Sequence, residues 1–332
     1  MTSAASFATE PGSAPHPQIA PDSPGTENVS QDTVQEDSLR DAKESVANSA
    51  ENQISQQNAV LLLQRVLTQL VAGPAFDAKV RETVWTTGRE VVGVGTYEQA
   101  GGSTGRYNLQ LTMHDGDGKH RLQQISDGRL AWTRTDISGR VALRRVDVGR
   151  LDEWVRGTTG NMSIAPRLKV GAWAEMLSTI ERDYVLAVVG ASLKGDPVWV
   201  ITGELRQSRR KEIMADSGRK EWPMLFPTRI RVAIRSKPEA KTNFGELLPV
   251  RIEYWSDPVT GGSESEEPRG NGNGRLITLI ELYSIRPISP PPAERFRFEN
   301  QDAEVNFTNE TDRYIEMYGV HLTERERRQL RR

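Results

Sequence analysis

The chain has 332 residues, a formal net charge of −2 and no cysteine. Without cysteine it forms no disulfide, holds no Cys-ligated zinc or iron–sulfur centre and has no thiol nucleophile. Only 36% of its residues are hydrophobic, and no apolar run approaches the roughly 18–20 residues of a membrane span. The first residues have neither the basic nor the apolar region of a secretion signal, so no signal peptide is visible in this sequence.

Residues 1–57 differ in composition from the rest of the chain. They contain nine acidic residues, two basic residues and a single aromatic, Phe7. An acidic segment with so few apolar side chains cannot bury enough surface to offset the entropy lost on ordering. We therefore expect a disordered tail or tether over 1–57, followed by one folded domain over 58–318 and a basic tail over 319–332.

The folded domain begins with an amphipathic segment. Residues 59–72 place Leu62, Leu63, Val66, Leu67 and Leu70 on one stripe at helical spacing, with polar side chains opposite. Gly73-Pro74 ends the pattern. The spacing predicts a helix that packs on a sheet or on another helix.

From about residue 79 the apolar period changes from 3.6 to 2, which indicates antiparallel strands with one solvated face. The alternation, together with turn signals such as Asp127-Gly128, predicts the following strands: 80–85, 90–97, 107–113, 120–125, 130–135, 140–147, 183–189, 197–204, 230–234, 250–254, 275–285 and 296–298.

One helical region interrupts the strands, with helices predicted over 151–155 and 172–182, and two stretches rich in charge or glycine, 206–222 and 256–274, are predicted to be exposed loops. A sheet of ten or more strands accumulates twist and curls. The fold class is therefore α+β, an antiparallel half-barrel that is not closed, with an N-terminal helix and a central helical lid.

The chain shows no motif for catalysis or for nucleotide binding. Residues 114–120 carry two histidines and two aspartates, but Lys119 and Ser126 stand where a calcium loop needs an oxygen ligand and a bidentate glutamate. We expect a polar hairpin turn there. A hydrolase assembled from scattered residues stays open as an alternative.

Three segments resemble a known family. ISDGRLAWTR (125–134) is similar to the tryptophan hairpin of the LolA/LolB-like periplasmic lipoprotein carriers. The 59–72 helix followed by GRYNLQLTM (105–113), and the segment 288–312, resemble the family in the same order. The Arg-Pro pair that the family has before its cavity strand is missing, so no arginine role is carried over.

The resemblance implies a half-barrel whose apolar cavity holds acyl chains, and it implies a periplasmic location. It places four residues of the cavity strand, the hairpin tryptophan and the inner face of the lid at the ligand. These candidate ligand-binding residues are Tyr107, Leu109, Leu111, Met113, Trp132, Trp173, Met176, Leu177 and Ile180.

Three functional hypotheses follow. The first is a non-enzymatic monomer that binds an acylated lipoprotein, a lipid or another hydrophobic ligand and carries lipoproteins between membranes. The second is a sensor or scaffold on the same fold, similar to the RseB-like regulators, which acts through a membrane-protein partner. The third is the hydrolase. The first two hypotheses need no metal, cofactor or nucleic acid.

Overall fold

A computed structural model describes residues 53–86, 89–116, 118–159, 166–257, 274–300 and 305–319. One twelve-stranded sheet dominates it. The strands are β1 (Phe76–Thr86), β2 (Arg89–Gln99), β3 (Arg106–His114), β4 (Lys119–Asp127), β5 (Leu130–Ile137), β6 (Arg140–Asp147), β7 (Tyr184–Leu193), β8 (Asp196–Leu205), β9 (Arg229–Arg235), β10 (Pro249–Ser256), β11 (Arg275–Pro287) and β12 (Phe307–Asn309).

The strand order across the sheet is β12-β6-β5-β4-β3-β2-β1-β11-β10-β9-β8-β7. Every neighbouring pair is antiparallel except β12 and β6, which are parallel. The two end strands, β12 and β7, do not pair with each other in the part of the chain described. The predicted fold class is confirmed: the sheet is a half-barrel that is not closed, in an α+β domain.

Within the described ranges, five α-helices and two short 3₁₀ helices accompany the sheet. The helices are α1 (53–72), α2 (Val148–Thr159), α3 (Ala172–Asp183), α4 (Gln207–Ser217) and α5 (Thr311–Met317), and the 3₁₀ helices are Pro166–Lys169 and Ala293–Phe296.

Helix α1 covers the inner face of one half of the sheet. Its apolar stripe is fully buried, with Leu63 and Leu67 at 0% exposure. Near its start, the Ser55 hydroxyl accepts a hydrogen bond from the Val188 backbone N–H of β7 at 3.4 Å. At its end, Gln99 of β2 donates a hydrogen bond to a helix carbonyl. The helix thus crosses from the β7 edge to the middle of the sheet.

Strand β2 carries two inner-face positions without side chains, Gly93 and Gly95. A Cβ on Gly95 would collide with the Gln110 carbonyl oxygen of β3, and one on Gly93 would meet the Met113 side chain. Glycine in a strand interior often marks such a close approach or a bend. These two glycines therefore allow β2 and β3 to approach closely and keep two inner-face positions of β2 free of side chains.

The segment after β11 crosses the outer face of the sheet. Arg295 pairs with Glu98 of β2 at 3.2 Å, and Phe296 is fully buried in the 3₁₀ helix that packs on β3 and β4. Strand β12 then joins the β6 edge, and the Thr311 hydroxyl accepts a hydrogen bond from the Asp147 N–H at 2.9 Å. We call residues 288–300 and 305–310 the C-terminal strap.

Two local predictions are wrong. The predicted loop 206–222 contains α4, which has no buried residue and is held by ion pairs such as Arg210–Asp257 at 3.0 Å. The predicted strand 296–298 is the end of a 3₁₀ helix followed by irregular backbone, because this part of the strap lies across the sheet and only β12 pairs with it.

Other predictions fall wholly or partly outside the described residues. Residues 1–52, most of the predicted loop 256–274, and 320–332 are outside. Within the described part, residues 53–57, which the sequence assigned to the tail, form the first turns of α1.

Candidate functional site

A cavity of about 370 Å³ lies between the inner face of the sheet and helix α3. Its wall comes from strands β1, β3, β4, β5, β6, β10 and β11 and from helices α3 and α5. The wall residues that carry the argument below are Glu82, Leu109, Leu111, Leu122, Thr133, Arg144, Trp173, Met176, Tyr254 and Ile280.

The middle of the cavity is apolar. Leu109 and Leu111 of β3 and Leu122 of β4 point to the same face because strand side chains alternate. Trp173 and Met176, one turn apart on α3, face them from above. A thioether beside flat aromatic and branched aliphatic groups adapts to apolar ligands of variable shape.

One end of the cavity, which we call the polar end, is formed by Glu82 of β1 and Tyr254 of β10. Ile280 of β11 lies between these two strands. Among the described residues, neither the Glu82 carboxyl nor the Tyr254 hydroxyl has a hydrogen bond or an ion pair to the protein. The Glu82 carboxyl and the Tyr254 hydroxyl are therefore both available to form hydrogen bonds with a ligand in the cavity.

Burial decides the charge state of the polar end. Loss of solvation raises the pKa of Glu82 from its ordinary value of 4.5 to about 7, and no charged neighbour opposes the shift. Burial likewise raises the pKa of Tyr254 well above the usual range. The carboxyl thus changes charge near neutral pH, whereas the phenol stays neutral.

The opposite end, which we call the charged end, lies near the β6 edge. Arg144 is 3.6 Å from Glu310 of the strap, and Arg313 of α5 lines the same region. From β6 to β1 there are five strand spacings of about 4.8 Å, so the two ends lie roughly 24 Å apart along the curved sheet. The cavity is therefore long, apolar in the middle and polar at both ends.

The start of α3 is fixed by contacts that only one residue type allows. Gly171 has a φ of 80° and packs on the Tyr107 hydroxyl, so a Cβ there would collide with the phenol. Glu175 accepts hydrogen bonds from the Gly171 N–H at 2.6 Å and from the Tyr314 hydroxyl at 2.8 Å. These bonds hold α3 and α5 together above the cavity.

The structure brings five of the nine predicted ligand-binding residues together. Tyr107, Leu109, Leu111, Trp173 and Met176 line the cavity. The other four do not: Met113 packs over Gly93, Leu177 and Ile180 are fully buried in the core, and Trp132 lies on the outer face. Ligand contact by any of the nine stays a prediction.

Trp132 points away from the cavity because its neighbours Ala131 and Thr133 point into it. On the outer face its ring stacks on Phe298 of the strap, with centroids 4.8 Å apart and planes at 18°, and meets Phe307 edge-on at 5.5 Å. The hairpin tryptophan therefore fastens the strap to the sheet.

Glu82 and Tyr254 were not predicted as site residues, although the sequence carries a signal for the first. Phe76, Ala78, Val80 and Glu82 alternate along β1, so a carboxyl occupies the fourth position of an apolar face. The contribution of Tyr254 follows from the pairing of β10 with β11 and of β11 with β1, which no local pattern reveals.

The predicted polar turn at 114–120 holds an internal contact instead of a metal cluster. Asp115 accepts a hydrogen bond from the Gly118 N–H at 3.0 Å, and its other oxygen lies 2.7 Å from His120 Nε2. Within the described ranges, no group of three or more His, Cys, Asp or Glu side chains is placed to hold a metal ion.

None of the helices described combines the length and the apolarity needed to cross a membrane.

The fold and the cavity define a half-barrel with an internal apolar space. No protein-family model matches the chain, and no curated protein matches it. Solved structures do match. The MucA/MucB complex of Pseudomonas aeruginosa is similar with a TM-score of 0.33 and 12% identity, covering 73% of this chain and 61% of that chain.

A DUF1329 family protein from Desulfovibrio piger matches with a TM-score of 0.32 and 10% identity, over 73% of this chain and 97% of that one. A LolA superfamily protein from Nitrosomonas europaea matches with a TM-score of 0.27 and 10% identity, over 74% and 98%. A LolA superfamily protein is thus among the matches, as the sequence resemblance predicted. The overlaps are loose, and they assign this chain no ligand and no partner.

Proposed function

We propose that this chain is a non-enzymatic binding protein that holds the hydrocarbon part of a lipid or of an acylated ligand in the half-barrel cavity. The observation that carries the proposal is the apolar middle of the cavity, walled by Leu109, Leu111 and Leu122 and roofed by Trp173 and Met176. Each methylene removed from water contributes about 0.8 kcal/mol. A chain of ten methylenes would therefore gain roughly 8 kcal/mol before the costs of association.

The three segments that resemble the lipoprotein carriers support two finer parts of the proposal. One is a periplasmic location. The other is that the bound acyl chain belongs to a lipoprotein in transit between membranes. Neither part is needed for binding itself.

The binding test places a charge in the roof of the cavity. Met176→Glu should lower the affinity for an apolar fluorescent probe at least about tenfold, because the probe must then share the cavity with a carboxylate. Met224→Glu is the matched control, since Met224 is half exposed and lies outside the cavity. Equal probe affinity in both variants and in the unchanged protein, or no uptake by the unchanged protein, would refute the proposal.

A second candidate function is the sensor or scaffold. It is favoured by β7, a strand at the end of the sheet with Val185 and Val189 exposed at 44% and 55%. An end strand with exposed apolar side chains suits an extended segment of a protein partner. Native mass spectrometry separates the two functions: a retained acylated molecule supports the carrier, and a stoichiometric complex with one membrane protein supports the sensor.

A further inference from the structure

The polar end of the cavity holds an acceptor without a partner. Glu82 projects from β1 into a space bounded by Val80, Ile280 and Tyr254. In the part of the chain that the structure describes, no cation and no hydrogen-bond donor of the protein pairs with its carboxyl, and loss of solvation is the cause of its raised pKa. Glu82 is partly buried, and polar groups shielded from bulk water usually bind a hydrogen-bond partner.

The carboxyl of Glu82 interrupts a row of apolar side chains on the inner face of β1. The inner positions before it on β1, Phe76, Ala78 and Val80, are apolar and almost fully buried, and an apolar residue would continue their row. Tyr254 adds a second polar group, a hydroxyl that donates and accepts, on the same stretch of wall. Two polar groups aimed at one apolar space are the usual means by which such a cavity orients its ligand.

From this arrangement we infer that the cavity binds a single-chain amphiphile whose protonated amine donates hydrogen bonds to Glu82, with the hydrocarbon chain lying along β3 and β4. The inference rests on the proposed function and names the chemical class of its ligand. Where the ligand carries a hydroxyl beside the amine, the Tyr254 hydroxyl forms a further hydrogen bond with it.

The size of the cavity suits a ligand with one chain. At roughly 30 Å³ for each water-sized group, a space of about 370 Å³ holds about a dozen such groups. One chain of about that many carbons fills it.

The charges around the cavity disfavour a fatty acid. A second carboxylate beside Glu82 meets like-charge repulsion. At the charged end the guanidiniums of Arg144 and Arg313 are offset by the carboxylates of Glu310 and Glu175, and Arg144 already pairs with Glu310. An amine at the polar end meets no cation among the described wall residues there.

The test compares three ligands that share one chain. Dodecylamine, dodecanol and dodecanoic acid are titrated into the full chain by calorimetry at pH 8, below their aggregation limits. We expect the amine to bind at least about tenfold more tightly than the acid, with the alcohol between them. The ammonium forms an ion pair with the Glu82 carboxylate, the uncharged alcohol only donates a hydrogen bond to it, and the carboxylate of the acid is repelled by it.

A matched pair of variants assigns the preference to one residue. Glu82→Gln should remove the preference for the amine over the acid, because the side-chain amide carries no charge. Glu90→Gln, at an exposed glutamate at the start of β2, should leave this preference unchanged. At pH 5.5 the preference of the unchanged protein should shrink, because the pKa of Glu82 is about 7 and its carboxyl is then mostly protonated.

The outcomes separate the inference from the proposed function. If all three ligands bind the unchanged protein with equal affinity, or if the acid binds most tightly, the inference is overturned and the proposed function stands. If none of the three binds, the proposed function is overturned with it. The ranking on the unchanged protein decides the question even if Glu82→Gln does not fold.

Discussion

The two halves of the sheet, built from strands of similar length, are filled differently. On the half formed by β7–β10, which we call the packed half, Ile201, Ile230, Val232, Ile234 and Ile252 are all 0–1% exposed. They and the leucine stripe of α1 belong to one continuous core.

On the half formed by β1–β6, which we call the cavity half, the inner positions include glycine, polar and charged residues. Gly93, Gly95, Gln124, Thr133 and Arg144 lie on inner positions of this half. Helix α3 covers this half with Trp173 and Met176, and space remains below it. The cavity therefore results from the small and polar side chains on a few inner positions, and not from a difference in strand pairing between the two halves.

The largest expected effect contrasts one truncation in each half. Ile252→Ala in the packed half should lower the free energy of unfolding by about 2–5 kcal/mol, because it leaves a new cavity in a filled core. Leu109→Ala, at a wall that already faces open space, should cost less than half of that. Urea unfolding of both variants measures the difference, provided that their m-values are equal. Equal losses in the free energy of unfolding would mean that the two halves are packed alike.

The second prediction sharpens the comparison through the polar end. The pKa of Glu82 is about 7 in the native protein and 4.5 in the unfolded chain, so the native protein keeps this proton to a higher pH. Stability therefore falls as the pH rises from about 4.5 to 7, and the loss persists above 7. Its size is about 3 kcal/mol, at roughly 1.4 kcal/mol for each pH unit.

Glu82→Gln removes this titration. The variant should be more stable than the unchanged protein at pH 8 by up to about 3 kcal/mol and of similar stability at pH 4. Glu90→Gln, at an exposed position, should show no such pH dependence. A difference between Glu82→Gln and the unchanged protein that does not vary with pH would contradict the burial of this carboxyl.

The smallest expected effect concerns the outer face of the cavity half. Trp132 and Phe298 stack at 4.8 Å, and such aromatic pairs contribute about 0.5–1.5 kcal/mol beyond the area they bury. A double-mutant cycle with Trp132→Leu and Phe298→Leu should give a coupling energy in that range. Additive losses would mean that the strap is held by other contacts, such as Arg295 with Glu98.

Sequence periodicity was sufficient for the sheet and for the packed half. Strands β1 to β11 were predicted from alternation because one of their faces is buried, and α1 from its leucine stripe. Strand β12 was not predicted, because its three residues are all exposed. Helix α4 escaped prediction because it has no apolar stripe and no buried residue: most of its residues are polar, Ile213 alone packs against the core, and ion pairs such as Arg210–Asp257 add to that contact.

The site was only partly predictable. The apolar wall on β3 follows from alternation and from the family resemblance, and the roof on α3 follows from helical spacing. Trp132 shows the limit, since alternation says that a residue and its neighbours face opposite sides but does not say which side is the inner one. The choice depends on the strap, which arrives from more than 150 residues later in the chain.

The pairing of β1 with β11, which forms a seam in the sheet between early and late parts of the chain, affects the order in which the protein folds. This seam joins residues far apart in sequence, as the ion pair between Asp77 and Arg286 shows with a separation of 209 residues. Closing so long a loop costs entropy before any contact rewards it, and contacts of this kind slow folding. While a nascent chain emerges, the hairpins β2–β6 and β7–β9 can form early, but Glu82 has no wall opposite it until β10 and β11 arrive. The binding cavity is therefore expected to be among the last parts of the molecule to exist.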